Sequence, residues 1–184
     1  MLKKWKKLSS EVVHKNPWWE YRLDKFKLPN GKQGEYHYMS TPGSVFIVPV
    51  AKQGTILLHK QYRFLVDQMS VEFPAGGIKE GQTSLEAAQA ELAEELQVKA
   101  AHWQSVGFFY PGNGLLDEKA EVFLAYELED QQAKADETES FEIFKLSFEE
   151  VERMIEKNEI KDAPSIAAWA IAKPHILKII QDQL

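Results

Sequence analysis

Cysteine is absent from all 184 residues, which excludes disulfides, thiolate zinc sites and cysteine nucleophiles together and is in keeping with a reducing cytosol. Surplus positive charge is missing too. A net charge of −6 argues against broad binding to nucleic acid or to an anionic membrane. An anionic small-molecule ligand would then need a cation or a local basic patch as mediator. No apolar run approaches the ~20 residues needed to cross a bilayer. The basic start, "MLKKWKKLSS", has no apolar segment of the kind a signal peptide needs, so a soluble, cytoplasmic chain is expected. Repeats and low-complexity tracts are lacking. The five histidines show no HExxH-type or clustered spacing, and none is assigned to a metal.

What is present is an ordinary globular balance, 44% hydrophobic and 27% charged, with enough length for a full core. "EYRLDKFKL", the turn signal "LPNGK" and "GEYHYM" predict an antiparallel hairpin or meander near the N-terminus. "SVFIVPV" and "GTILLHKQYR" read as central strands of a mixed sheet. A helix is expected from about Ser84 to Leu96, capped by Thr83 or Ser84, with Leu85, Ala88, Leu92 and Leu96 as its apolar stripe. Strands follow around "WQSVGFFY", "KAEVFLAYEL" and "FEIFKL". Two C-terminal helices close the chain, one capped by Ser147 and one carrying Pro174 as a kink or break. Strands with helices on either side give an α/β (α+β) fold, an α/β/α sandwich around a mixed sheet, preceded by an N-terminal antiparallel β-segment.

The helix gathers acid on one flank. Glu91, Glu94 and Glu95 fall within an arc of about 100° beside the leucine stripe, at ~100° of rotation per residue. Like charges a turn apart repel, and no lysine or arginine occurs between Lys79 and Lys99 to relieve them. Two readings stand at this point. The cluster is either a solvated face or a set of oxygen ligands for a hard cation such as Mg²⁺. The preceding "EFPAGGIKEG" favours the second, because its glycines let backbone approach a ligand closely.

These residues resemble the Nudix hydrolases. The family's box is a Gly, five residues, a Glu, seven residues, then Arg-Glu-apolar-x-Glu-Glu-x-Gly-apolar. Gly76 stands as its first Gly, and Glu91, Leu92, Glu94, Glu95 and Val98 match its final segment, "AELAEELQV". Three positions depart: Gln82 stands for the first Glu, Ala90 for the Arg, and Gln97 for the last Gly. "QYR", "VEFPAGG" and "FYPG" followed by "DEKAEVFLAYEL" look like the branch that cleaves ADP-ribose and nucleoside diphosphate sugars.

The resemblance implies a hydrolase that splits a nucleotide-sugar diphosphate with Mg²⁺, for which Mn²⁺ can substitute. It places the metal on Glu91, Glu94 and Glu95 with the backbone carbonyl of Ala75, and the general base on Glu139, with Glu137 as second choice. Arg63 would contact phosphate, Gly112 would line the sugar pocket, and Glu118 would hold metal or ribose hydroxyls; plain structural roles are open for all three. Trp18 and Trp19 either stack on a nucleobase or pack in a core or interface. Ala90 cannot position the neighbouring glutamate as the family's arginine does, and Gln82 keeps an acceptor but loses charge. Residues 1–43 are expected as a β-segment that swaps into a homodimer, and residues 44–184 as the hydrolase domain. Two alternatives remain: a degenerate domain that senses nucleotide sugars without cleaving them, and a nucleoside triphosphate pyrophosphohydrolase.

Overall fold

The computed structural model describes residues 3–133 and 140–182. Two sheets organise it. The first is a three-stranded antiparallel sheet of β1 (Lys6–Lys15), β2 (Glu20–Lys27) and β3 (Gln33–Ser40), in the order β1-β2-β3. β1 is exposed along its whole length, an edge strand whose outer side no other described strand pairs with. The "LPNGK" turn joins β2 to β3, with Gly31 at a positive φ of 89° and its N–H bonded to the Leu28 carbonyl.

The second sheet runs β10-β5-β4-β9-β8, with β6 added to β5 and β7 to β4. Its strands are β4 (Ser44–Val50), β5 (Ile56–Arg63), β6 (Gln68–Glu72), β7 (Ala75–Gly77), β8 (Val98–Phe109), β9 (Ala120–Asp130) and β10 (Glu142–Leu146). β4 and β9 are parallel while the other pairs are antiparallel, so the sheet is mixed. Three helices cover it: α1 (Ser84–Leu96), α2 (Phe148–Glu156) and α3 (Ala163–Asp182).

Alternation along the central strands sorts side chains between two cores. Val45, Ile47 and Leu57 face one way and pack with Ala87, Ala88, Leu92 and Leu96 of α1. Val48, Val50, Ile56 and Leu58 face the other way and pack with Val151, Met154, Trp169 and Ile176 of α2 and α3. Each fully buried Leu, Ile or Phe here contributes roughly 1.5–3 kcal/mol of transfer free energy. The result is the expected α/β/α sandwich.

The structure corrects some local expectations. Leu85 is exposed, and Ala87 takes its place on the buried face of α1. Thr83 is the N-cap. Its hydroxyl accepts from the Glu86 N–H, and the Glu86 carboxylate accepts from the Thr83 N–H in return, a complete capping box. α3 runs on through Pro174 without a break. The glycine-rich "PAGG", which carries no strand signal of its own, contains the short strand β7, because its backbone pairs with the start of β4.

Candidate active site

The local geometry begins with β7. Ala75 pairs with Phe46 and Gly76 with Val45, and the Pro74 carbonyl accepts from the Ile47 N–H at 2.9 Å. One residue earlier, the Phe73 N–H is held by the buried Ser165 hydroxyl of α3 at 3.0 Å. A buried hydrogen bond of this kind is worth about 1 kcal/mol net, and it fixes the segment from both sides of the sheet. The backbone of Ala75 and Gly76 is therefore a rigid ledge facing α1.

Glu91 and Glu95, one turn apart on α1, both reach that ledge. The Glu95 carboxylate is 5% exposed, and its Oε2 accepts from the Ala75 N–H at 3.1 Å. The Glu91 carboxylate lies directly over Gly76. A Cβ built on Gly76 would stand 2.1 Å from Glu91 Oε1. Gly76 does not carry a positive φ, so its lack of a side chain is a matter of room rather than of backbone conformation. Glu94 is half-buried on the same helix, but its side chain is not brought to the ledge by any contact described. Among the described residues, no three acidic or imidazole side chains converge into a ready-made cation cluster. Two carboxylates against the Ala75–Gly76 backbone nonetheless offer hard oxygen donors, with Gly76 leaving the Glu91 carboxylate room that a Cβ would take. That chemistry fits a hard divalent cation.

Behind the carboxylates lies a buried polar layer that the sequence reading did not single out. His59 of β5 is fully buried, with Nδ1 at 3.6 Å from Glu95 Oε2 and Nε2 at 2.8 Å from the Gln61 amide nitrogen. Burial pushes the imidazole down to about 4, against the raising effect of Glu72, so it is neutral at pH 7 and forms no salt bridge with Glu95. Glu72 is also buried and receives the Nε and Nη2 of Arg63, with Nε to Oε1 at 3.0 Å. Burial alone would raise the Glu72 carboxyl, but the hydrogen bonds and charge of Arg63 outweigh it and hold the group below its ordinary value. The one signal for this layer is in β5 itself. His59 and Gln61 continue the face begun by Leu57, where an apolar side chain would be the default.

The other predicted residues are more dispersed. Arg63 is about half exposed and tied to Glu72. Glu118 accepts from the Ser44 hydroxyl at the start of β4, the position that pairs with Gly77. Gly112 opens a turn whose carbonyl accepts from the N–H groups of Leu115 and Leu116, each at 2.7 Å. That turn docks on the N-terminal sheet through the Tyr36 hydroxyl, which donates to the Gly114 carbonyl at 2.9 Å. Trp18 and Trp19 cap the β1–β2 connection, their N–H groups bonded to Asn16 Oδ1. Trp18 is 75% exposed, whereas Trp19 is half-buried. Glu137 and Glu139 lie outside the described residues.

The three departures from the box also have definite places. Gln82 Oε1 accepts from the Lys79 N–H at 3.1 Å, which closes the turn ahead of α1. Ala90 is half-buried and adds no donor. Gln97 ends α1 in the left-handed region, at φ 57° and ψ 37°. Its amide nitrogen donates to the carbonyls of Ala93 and Glu94, and its Oε1 accepts from the Ala133 N–H at 3.0 Å. A cavity of about 720 Å³ lies at this far end of α1, lined in part by Leu96, Gln97 and Val98, and by none of the residues expected to hold metal or substrate.

Comparisons agree with this architecture. Residues 5–39 match the nucleoside diphosphate sugar hydrolase N-terminal domain. An ADP-ribose pyrophosphatase of Bacillus subtilis is 29% identical over 180 residues, covering 97% of this chain and 96% of that one. A methanol dehydrogenase activator of Bacillus methanolicus is 25% identical over 165 residues, with 89% of each chain covered. A crystal structure of an ADP compounds hydrolase superposes with a TM-score of 0.84 over 97% of both chains; at 20% identity that likeness is one of fold. Residues 40–169 match the NUDIX domain, which is most of the chain, and the protein therefore belongs to the Nudix hydrolase family.

Proposed function

We propose that the protein hydrolyses the diphosphate of ADP-ribose or a related nucleoside diphosphate sugar, using Mg²⁺, to give a nucleoside monophosphate and a sugar phosphate. The observation that carries this reading is the placement of Glu91 and Glu95 side by side on the Ala75–Gly76 ledge. These two carboxylates and the Ala75 carbonyl would hold the cation, with Glu94 as a further ligand or orienting acid. A cation bound there would neutralise diphosphate charge and acidify a bound water. The ADP-ribose pyrophosphatase matched over almost the full length supports the substrate class.

The remaining residues are assigned by what they can offer. Arg63, with Nε and Nη2 committed to Glu72, presents its Nη1 edge to a phosphate oxygen. Glu118, close to the β7 edge, serves a ribose hydroxyl or the cation. Glu139 takes the proton of the attacking water, with Glu137 as the second choice. Gly112 lines the sugar pocket, and Trp18 and Trp19 offer indole faces to the base. The N-terminal segment, residues 1–43, acts as the dimer element. β1 exposes Leu8, Val12 and Val13, and the turn after β5 exposes Phe64, Leu65 and Val66, apolar surface that a second copy would cover. Sedimentation velocity should show a dimer, and a strict monomer would remove that assignment.

The direct test is incubation with ADP-ribose in Mg²⁺ and in EDTA, followed by anion-exchange separation. AMP and ribose 5-phosphate should form only with the cation. The departures at Gln82 and Ala90 motivate one other reading, a nucleotide-sugar sensor. Calorimetric binding of the same ligands with no product from ADP-, GDP- or UDP-sugars in either Mg²⁺ or Mn²⁺ would establish it instead.

A further inference from the structure

One buried side-chain polar atom among the described residues has no hydrogen-bond partner, and it is Nδ1 of His59. Orphaned buried nitrogens are uncommon enough that each calls for a cause. The contact of the ring's other nitrogen bears on which one carries the proton. Nε2 faces the Gln61 amide nitrogen at 2.8 Å, and an amide nitrogen can only donate. Nε2 is then the acceptor, and the proton of the neutral ring sits on Nδ1. Turning the Gln61 amide over would reverse this, but would set the lone pair of Nδ1 against a carboxylate oxygen. Both considerations aim an Nδ1–H at Glu95 Oε2. The distance of 3.6 Å is beyond a hydrogen bond, although contacts of this kind are often long before ligands arrive.

α1 offers its own carboxylates no basic donor, since neither lysine nor arginine occurs between Lys79 and Lys99. Two groups that face Glu95 come from other elements: the Ala75 N–H of β7, from which it accepts, and the His59 ring of β5, 3.6 Å away. We propose that His59 is a positioning residue for Glu95, its Nδ1–H acting with the Ala75 N–H to hold the Oε2 end of the carboxylate in the rotamer that binds the cation. This rests on the reading of Glu91 and Glu95 as cation ligands. It adds a residue on a different strand, reached through the core, whose part is to orient and not to touch substrate.

The test uses Mn²⁺ affinity of the metal-free protein, read from the paramagnetic resonance of free Mn²⁺, beside a urea midpoint for each protein. His59→Leu removes the donor, and the affinity should fall by about 10–100-fold, the usual loss when a ligand's hydrogen-bonded support is removed. His59→Asn can place an amide N–H where Nδ1–H was, and should recover most of that loss. The asparagine is smaller and leaves a void, so it should also be the less stable of the two. Tighter metal binding in the less stable variant is an outcome that a merely structural histidine would not give. Equal affinity in His59→Leu and wild type, or no recovery in His59→Asn, would overturn the proposal. If neither variant folds, the ¹⁵N shifts of the wild-type ring decide: a protonated Nδ1 is expected, and a protonated Nε2 overturns it. Should the wild type bind no Mn²⁺ at all, the cation reading itself fails and takes this proposal with it.

Discussion

Glu95→Gln should abolish most turnover while leaving the fold in place. Glutamine still has one oxygen for the Ala75 N–H, so the ledge contact and the buried position can both survive. What disappears is a negative charge in a site with little water, where a single electrostatic group is worth about 10²–10³ in kcat. AMP release from ADP-ribose at saturating Mg²⁺ should fall by at least that factor, with the urea midpoint nearly unchanged. Retained turnover would remove Glu95 from the chemistry, and with it the reading of the acid flank as a cation site.

The second large effect is expected at a residue with no functional group. Gly76→Ala puts a methyl where the Glu91 carboxylate now lies, 2.1 Å from Oε1. The three nearest atoms met all belong to the far end of that flexible side chain. Glu91 can therefore swing aside, and the folded state loses little. The ligand geometry does not survive the move, since a displacement of about 1 Å in a reacting constellation can cost ~10²-fold. Steady-state kinetics should show that loss, together with a weaker Mn²⁺ affinity, in a protein whose circular dichroism and melting are close to wild type. A fully active Gly76→Ala would mean that Glu91 is not needed where it stands.

The frame of the molecule was legible in the sequence because it is carried by local signals. The β-rich apolar runs in "SVFIVPV" and "GTILLHKQYR", the Thr83 capping position and the Ser147 cap each specify their element without help from distant residues. The α1 boundaries, Ser84 and Leu96, follow from such signals. β7 was missed because nothing in "AGG" has strand propensity; the pairing comes from β4, thirty residues earlier in the chain. The candidate site divides in the same way. The acid flank and the glycines are neighbours in sequence, and the motif spacing joins them. His59 and Glu72 reach the site through β5 and β6, and only the sheet register brings them to Glu95 and Arg63. The tie between Arg63 and Glu72 narrows the phosphate role expected for the arginine to one edge of its guanidinium.

Gln97 shows why reverting an outlier to its family's habit is not a neutral edit. A glycine there would accept the left-handed backbone more easily, and stability design would favour it. The same edit would delete both amide bonds to the last carbonyls of α1 and the acceptor that fastens Ala133, at the threshold of the acidic segment. The glutamine trades conformational comfort for a clasp between two distant stretches of chain, so a consensus version of this enzyme would gain ease at one joint and lose its grip at another.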